Sequence, residues 1–222
     1  MGLPTAERYA MPDEDTLPRS LAPWEIDPGR AALLIHDMQH HLLIHDMQHH
    51  LLQVFPPRVS PLVDLVANVA RLRAAAHRFG VPVVFSAEPP TSPDRRGPAL
   101  RPAGPPEDGV ATPPDGRIAA TPAPSLGEHV ITNTRDNAFL RSHLERILRI
   151  SGRDQLIVCG LFAHSGVLLT AADAYMNDTR PFVVADAVAD VSAEEHALAL
   201  RWSAAREAVV RTTTTLIDEL EL

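Results

Sequence analysis

From Ala31 onward, short apolar runs alternate with longer stretches whose apolar residues recur every three to four positions. AALLI at Ala31–Ile35, VPVVFS at Val81–Ser86, QLIVC at Gln155–Cys159 and PFVVA at Pro181–Ala185 are too short for helices. They are also too uniformly apolar for strands with one wet face, so they read as strands buried on both sides. His129–Thr132 is a weaker strand, and Ala208–Thr212 closes the series. Helical spacing fills the intervals. Val66–Phe79 is amphipathic and stops at Gly80; Ala138–Ile150 carries Phe139, Leu140, Leu144, Ile147 and Leu148; further helices are expected across Val167–Met176 and Ser192–Glu207, the last capped by Ser192. Leu216–Leu222 reads as a short apolar tail. Buried strands alternating with helices predict an α/β domain with a mostly parallel sheet.

Two segments break the alternation. Residues 1–29 are irregular, with Trp24 and Ile26 as anchors onto the body. Residues 88–128 hold 11 of the 21 prolines and exclude both a helix and a central strand. An insertion of that length leaving the carboxyl end of the second strand reads as a lid or as a disordered excursion. With both segments included, the chain reads as a single domain over residues 1–222.

Composition narrows the chemistry. A net charge of −8 with no cationic block disfavours a nucleic-acid surface. No apolar run reaches a membrane span and the N-terminus lacks a signal core, so a cytoplasmic location is expected. Cys159 is the sole cysteine, which rules out a disulfide framework. All 20 cations are arginine; without lysine there is no Schiff-base chemistry and no lysine base.

LLIHDMQHH at Leu33–His41 recurs letter for letter at Leu42–His50. Identity over nine residues points to a recent slip rather than an old repeat. The duplication supplies His36, His40, His41, His45, His49 and His50, six of the eleven histidines. Copied solvent-facing residues explain them better than a metal site, because adjacent histidines rarely converge on one ion. No metal and no cofactor are expected. The chemistry lies beside them, where a buried strand ends in His36-Asp37, or in His45-Asp46 if the second copy forms the strand. A carboxyl at such a tip is partly desolvated and suited to act as an acid, though an Asp that merely caps the next element looks the same. The segment CGLFAHSGVLLTAADAY, Cys159–Tyr175, leads a strand through Gly160 into a helix whose first turn, Ala163–Gly166, offers backbone N–H groups to a carboxylate or oxyanion. It is neither a dinucleotide fingerprint nor a GxSxG elbow.

The series WEIDPGR (24–30), ALLIHDMQ, VANVARLR, SGRDQLIVCG, AHSGV, DAYMND, RPFVVADAVADVS and HALAL resembles the isochorismatase-like hydrolases over most of the chain, above all the isochorismatase and 2-amino-2-deoxyisochorismate hydrolase branch. The resemblance implies a Rossmann-like three-layer sandwich with a six-stranded parallel sheet of order 3-2-1-4-5-6 and helices on both faces. It also implies a non-prolyl cis peptide near Leu161–Phe162. The family's machinery is Asp, Lys and Cys, with Gly replacing Cys in this branch. Here the Cys position falls on Gly166, which excludes thiol chemistry of the nicotinamidase type, and Cys159 reads as a core thiol. The Asp falls on Asp37 or Asp46, and a rim loop absorbs nine extra residues more cheaply than a strand does, which favours Asp37. The lysine falls on Asn133. Losing that charge should weaken substrate anchoring by about one to two decades.

Other positions implied for substrate binding are Gln39, Glu88 in place of a polar side chain after the second strand, Phe162 in place of an aromatic hydroxyl, and Ala163, Ser165 and Gly166 of the turn. Arg135 and one of Arg95 or Arg96, Arg96 being favoured, are expected as carboxylate clamps, plain solvation being the alternative. The resemblance further implies a homodimer or higher homo-oligomer, supported by the apolar tail at Leu216 and Ile217. The partner is a small carboxylic acid, and a free-standing carrier protein is admitted as a second. Three functions are open: enol-ether hydrolysis of a chorismate-derived cyclic acid with Asp37 as acid; a dehydration, cyclisation or isomerisation using Asp37 and Glu88; and a catalytically silent binding protein.

Overall fold

The structure, a computed structural model, describes residues 5–38, 52, 54–87, 124–133 and 136–222. Six parallel strands form one sheet: β1 (Ala31–His36), β2 (Val83–Ala87), β3 (His129–Thr132), β4 (Gln155–Leu161), β5 (Arg180–Ala189) and β6 (Val209–Arg211). Their order is β3-β2-β1-β4-β5-β6, as expected. Helices α1 (Leu62–Arg78), α2 (Leu144–Ile150), α3 (Leu168–Met176), α4 (Ala193–Ala204) and α5 (Thr213–Leu220) cover both faces.

The uniform apolar runs follow from this layering. Leu33 and Ile35 of β1 point to one face, packing with Leu62, Leu65 and Val69 of α1 and Leu216 of α5. Ala32 and Leu34 point to the other, against Leu144 of α2, Ala171 of α3 and Leu200 of α4. A strand with two dry faces needs apolar side chains at every position, and each large one buried contributes about 1.5–3 kcal/mol. Cys159 sits wholly buried in the first core, where burial pushes its thiol pKa up, so it is the core thiol expected. Among the described residues no helix is long and apolar enough to cross a membrane.

Three expectations need correction. The helix foreseen over Ala138–Ile150 begins only at Leu144. Polar side chains take over its first turns: Asn137 Oδ1 accepts from Phe139 N–H, the Ser142 hydroxyl donates to the Ala138 carbonyl and accepts from Leu144 N–H, and Arg141 adopts φ 57°. The strand ending at Ala185 continues to Ala189, with Val188 and Ala189 pairing to Gly160 and Leu161 beyond a register irregularity in β4. Asp186, within this extension, accepts hydrogen bonds from Thr213 N and Oγ1 at 2.6 and 2.7 Å and ties α5 to the sheet. Finally, the tail is a helix. Thr212 caps it, and Leu216 and Leu220 are buried in this chain's own core, so these residues give no argument for an oligomer.

The irregular N-terminal segment is docked rather than loose. Ile26 is buried, as expected, and so is Ala6. The Tyr9 hydroxyl lies 3.2 Å from the Asp190 carbonyl and accepts from Asp190 N–H at 2.8 Å. That contact reaches the carboxyl end of β5, beside the site.

Candidate active site at the carboxyl ends of β1, β2 and β4

The first copy of the duplicated segment builds β1, so Asp37 stands at the strand tip. It has φ 51°, in the left-handed region that aspartate and asparagine tolerate better than other side chains. Ile35 pairs with Phe85 across the parallel β1–β2 ladder, which brings Ser86 beside His36. Ser86 then serves three groups at once. It accepts from Asp37 N–H at 3.1 Å, donates to Asp37 Oδ1 at 2.9 Å, and lies 2.6 Å from His36 Nδ1. With the one hydroxyl proton given to Asp37, the third contact requires a hydrogen on His36 Nδ1. Asn133, immediately after β3 and fully buried, approaches Asp37 Oδ1 with Nδ2 at 3.4 Å, a long and weak contact.

The Asp37 side chain is only 10% exposed. Burial raises its pKa above the ordinary carboxylate range. The His36 ring and the hydrogen bonds from Ser86 and Asn133 pull the other way without cancelling it, and Asp136 adds a further upward push. A carboxyl that resists ionisation keeps its proton for donation.

The opposite wall comes from β4 and the turn after it. The peptide bond Leu161–Phe162 is cis, as the family resemblance implied, and Ala163–Val167 form one wide helical turn leading into α3. Phe162 is half-buried and stacks on Phe55, ring centroids 6.0 Å apart. Gly166 packs directly against the His36 ring. Ala163 is buried in the core behind the turn, away from solvent. The turn is less free to bind an anion than its sequence suggested. His164 N–H donates to Asp190 Oδ2 at 2.7 Å, and the N–H groups of Ser165 and Val167 donate to the Phe162 carbonyl. The wholly buried Asp190 also holds His164 Nδ1 at 2.8 Å, and this hydrogen bond raises the His164 pKa.

The structure therefore brings Asp37, Asn133, Phe162 and Gly166 to one end of the sheet. Gln39, Asp46, Glu88, Arg95, Arg96 and Arg135 lie outside the described residues, as do the remaining histidines of the repeat. Sequence reading missed Ser86, Asp136, Asp190 and Tyr9. The register of two parallel strand tips would have found Ser86; nothing in the sequence signals Tyr9, whose partner is 181 residues away.

A desolvated acid costs stability, which yields a prediction. Unfolded, Asp37 titrates near the usual ~3.9. Folded, its pKa is raised, so its contribution is present below the unfolded value and lost as pH rises through the folded one. Asp37→Asn is therefore expected to raise Tm at pH 7–8, with the gain vanishing below about pH 4. Thermal unfolding followed by circular dichroism across that range measures it.

A parallel six-stranded α/β sheet with an aspartate at the switch-point strand tip, facing a cis-peptide turn, defines the class: an isochorismatase-fold enzyme. The isochorismatase domain model matches residues 31–215, and the chain belongs to the isochorismatase family of hydrolases. It is 41% identical over 224 residues to the phenazine biosynthesis protein PhzD of Pseudomonas fluorescens, covering 97% of this chain and 99% of that one. It is 38% identical over 229 residues to the isochorismatase of Bacillus subtilis strain 168, covering all of this chain and 68% of that one. Among solved structures, a cysteine hydrolase from Pseudomonas syringae pv. phaseolicola 1448A superposes with a TM-score of 0.68 at 22% identity, covering 91% of this chain and 98% of that one.

Proposed function

We propose that the protein hydrolyses the enol-ether bond of a small chorismate-derived cyclic acid, in specialised metabolism, with Asp37 as the proton donor. Asp37 delivers its proton to the methylene carbon of the enolpyruvyl group. Water adds to the resulting oxocarbenium carbon, and the hemiketal breaks to pyruvate and the ring alcohol. The carrying observation is the state of Asp37: buried at the strand tip, raised in pKa, and aimed by Ser86. The relatives named for isochorismatase activity and for phenazine biosynthesis support the substrate class.

Asn133 at the expected lysine position favours a second reading, a non-hydrolytic acid–base step on the same class of acid. Asn133 donates a hydrogen bond but brings no charge to anchor a substrate carboxylate. One experiment separates the two. Incubated with isochorismate and with its 2-amino analogue, the protein is expected to release pyruvate stoichiometrically with at least one of them, followed by a coupled lactate dehydrogenase assay. Consumption of substrate without pyruvate selects the second reading.

A further inference from the structure

We propose that His36 determines which chemistry this crevice performs: its imidazole fills the space into which any side chain at position 166 would project, and through Ser86 it holds Asp37. The site then has room for a proton donor on β1 and none for a nucleophile facing it from the turn. The part about Asp37 rests on the functional reading above; the steric part stands without it.

Gly166 does not use glycine's backbone freedom, because its φ lies outside the left-handed region. Space is what excludes a side chain there. A Cβ at 166 would lie 2.5 Å from His36 Cδ2, closer still to Nε2, and 2.8 Å from the Leu161 carbonyl oxygen. Contacts that short are deep in the repulsive wall, so something must move.

The ring has nowhere cheap to go. It is fully buried, and Nδ1 is tied to Ser86 Oγ at 2.6 Å. Its backbone is hemmed in as well. Gly160, at φ 116°, pairs with His36 across the β1–β4 ladder, and a Cβ at 160 would meet the His36 carbonyl carbon at 2.8 Å and its nitrogen at 2.9 Å. Two glycines thus make room for one histidine: Gly160 admits its backbone and Gly166 admits its ring.

The polar balance of the ring fits this role. Nε2 is buried and has no hydrogen-bond partner among the described residues. Asp37 Oδ2 lies 3.6 Å from Nε2, beyond hydrogen-bond reach, and Nε2 otherwise faces the Gly166 Cα–H, a weak contact at best. An imidazole that gives up half its hydrogen bonding is held there for its shape and for its grip on Ser86. The chain's only thiol, Cys159, is sealed in the core with its pKa pushed up by burial, so it supplies no nucleophile to this crevice.

The test is a double-mutant cycle in thermal unfolding, read without substrate, on wild type, Gly166→Ala, His36→Val and the double variant. Gly166→Ala alone is expected to lower Tm by roughly 5–10 °C. In the His36→Val background the same change should cost less than half as much, the remainder being the Leu161 carbonyl. Equal losses in the two backgrounds overturn the proposal. If Gly166→Ala is insoluble, a soluble double variant supports the proposal, and an insoluble one beside soluble His36→Val overturns it. The hold on Asp37 is read separately as kcat and KM with isochorismate. His36→Asn, whose amide can replace Nδ1 at Ser86, is expected to retain at least tenfold more kcat than His36→Val at similar KM, and equal kcat in the two overturns that part. If wild type releases no pyruvate, the functional reading fails and the unfolding cycle still decides the steric claim.

Discussion

Asp37→Asn is expected to lower turnover by about 10²–10⁴, while Asp46→Asn changes it little. The asymmetry follows from the strand: Leu33–Ile35 of the first copy are buried in β1, which leaves Asp37 as the residue at its tip. Asparagine is the informative replacement, because it tolerates the φ of 51° at this position, so the variant removes the acid without straining the turn. Initial rates with isochorismate, measured on both variants and wild type, decide it. Loss of activity in Asp46→Asn alone would place the second copy in the strand. Normal turnover in both would make Glu88 the next residue to test. Deleting Leu42–His50 should leave a working enzyme, but that deletion merges the copies and cannot by itself identify the acid.

Ser86→Ala is expected to lower kcat by about 10–10², the scale of a small misplacement of a reacting group. It should also move the alkaline limb of the pH profile upward. The sign follows from the groups facing Asp37, namely His36, Ser86, Asn133 and Asp136. As the proposed proton donor, Asp37 would work only while protonated, so kcat/KM is expected to fall as pH rises through its pKa. Ser86 donates to the carboxylate and so pulls that pKa down; removing the hydroxyl lets it rise, and activity persists to higher pH. Stability should drop as well, by about 1–3 kcal/mol for each group left unpaired, since Asp37 N–H and His36 Nδ1 both lose a partner in a buried place. A variant with lower kcat and an unmoved limb would show that Ser86 does not touch the titrating carboxyl.

What could be read in the chain differs element by element. The buried strands declared themselves through continuous apolar runs, because a central strand between two helical layers has no solvent-facing position to spend on a polar residue. Their order and the cis peptide came with the family resemblance rather than from periodicity. Asp37 was legible as a carboxyl closing an apolar run. The failures are equally physical. The start of α2 was hidden because Asn137 and Ser142 offer the backbone alternative hydrogen bonds, a choice that depends on neighbours such as Asp173, which accepts from Asn137 Nδ2 at 2.8 Å. The terminal helix was hidden because seven or eight residues carry too weak a period until α1 and β5 supply the surface for Leu216.

The sequence by itself determined the layered α/β class, the core thiol, the absence of lysine, and the placing of a carboxyl at a strand tip. Each of these is a matter of residue type or local period, which a linear chain states directly. Only the tertiary structure decided that the first copy of the repeat makes the strand, that Ser86 stands within reach of both His36 and Asp37, and that the space at Gly166 belongs to His36. Those facts join β1 to β2 across 49 or 50 residues and to the turn after β4 across 130, and their energies are decided by contacts of a few ångströms. Local propensity carries no information about such distances. They exist only once parallel pairing has set the strand tips side by side.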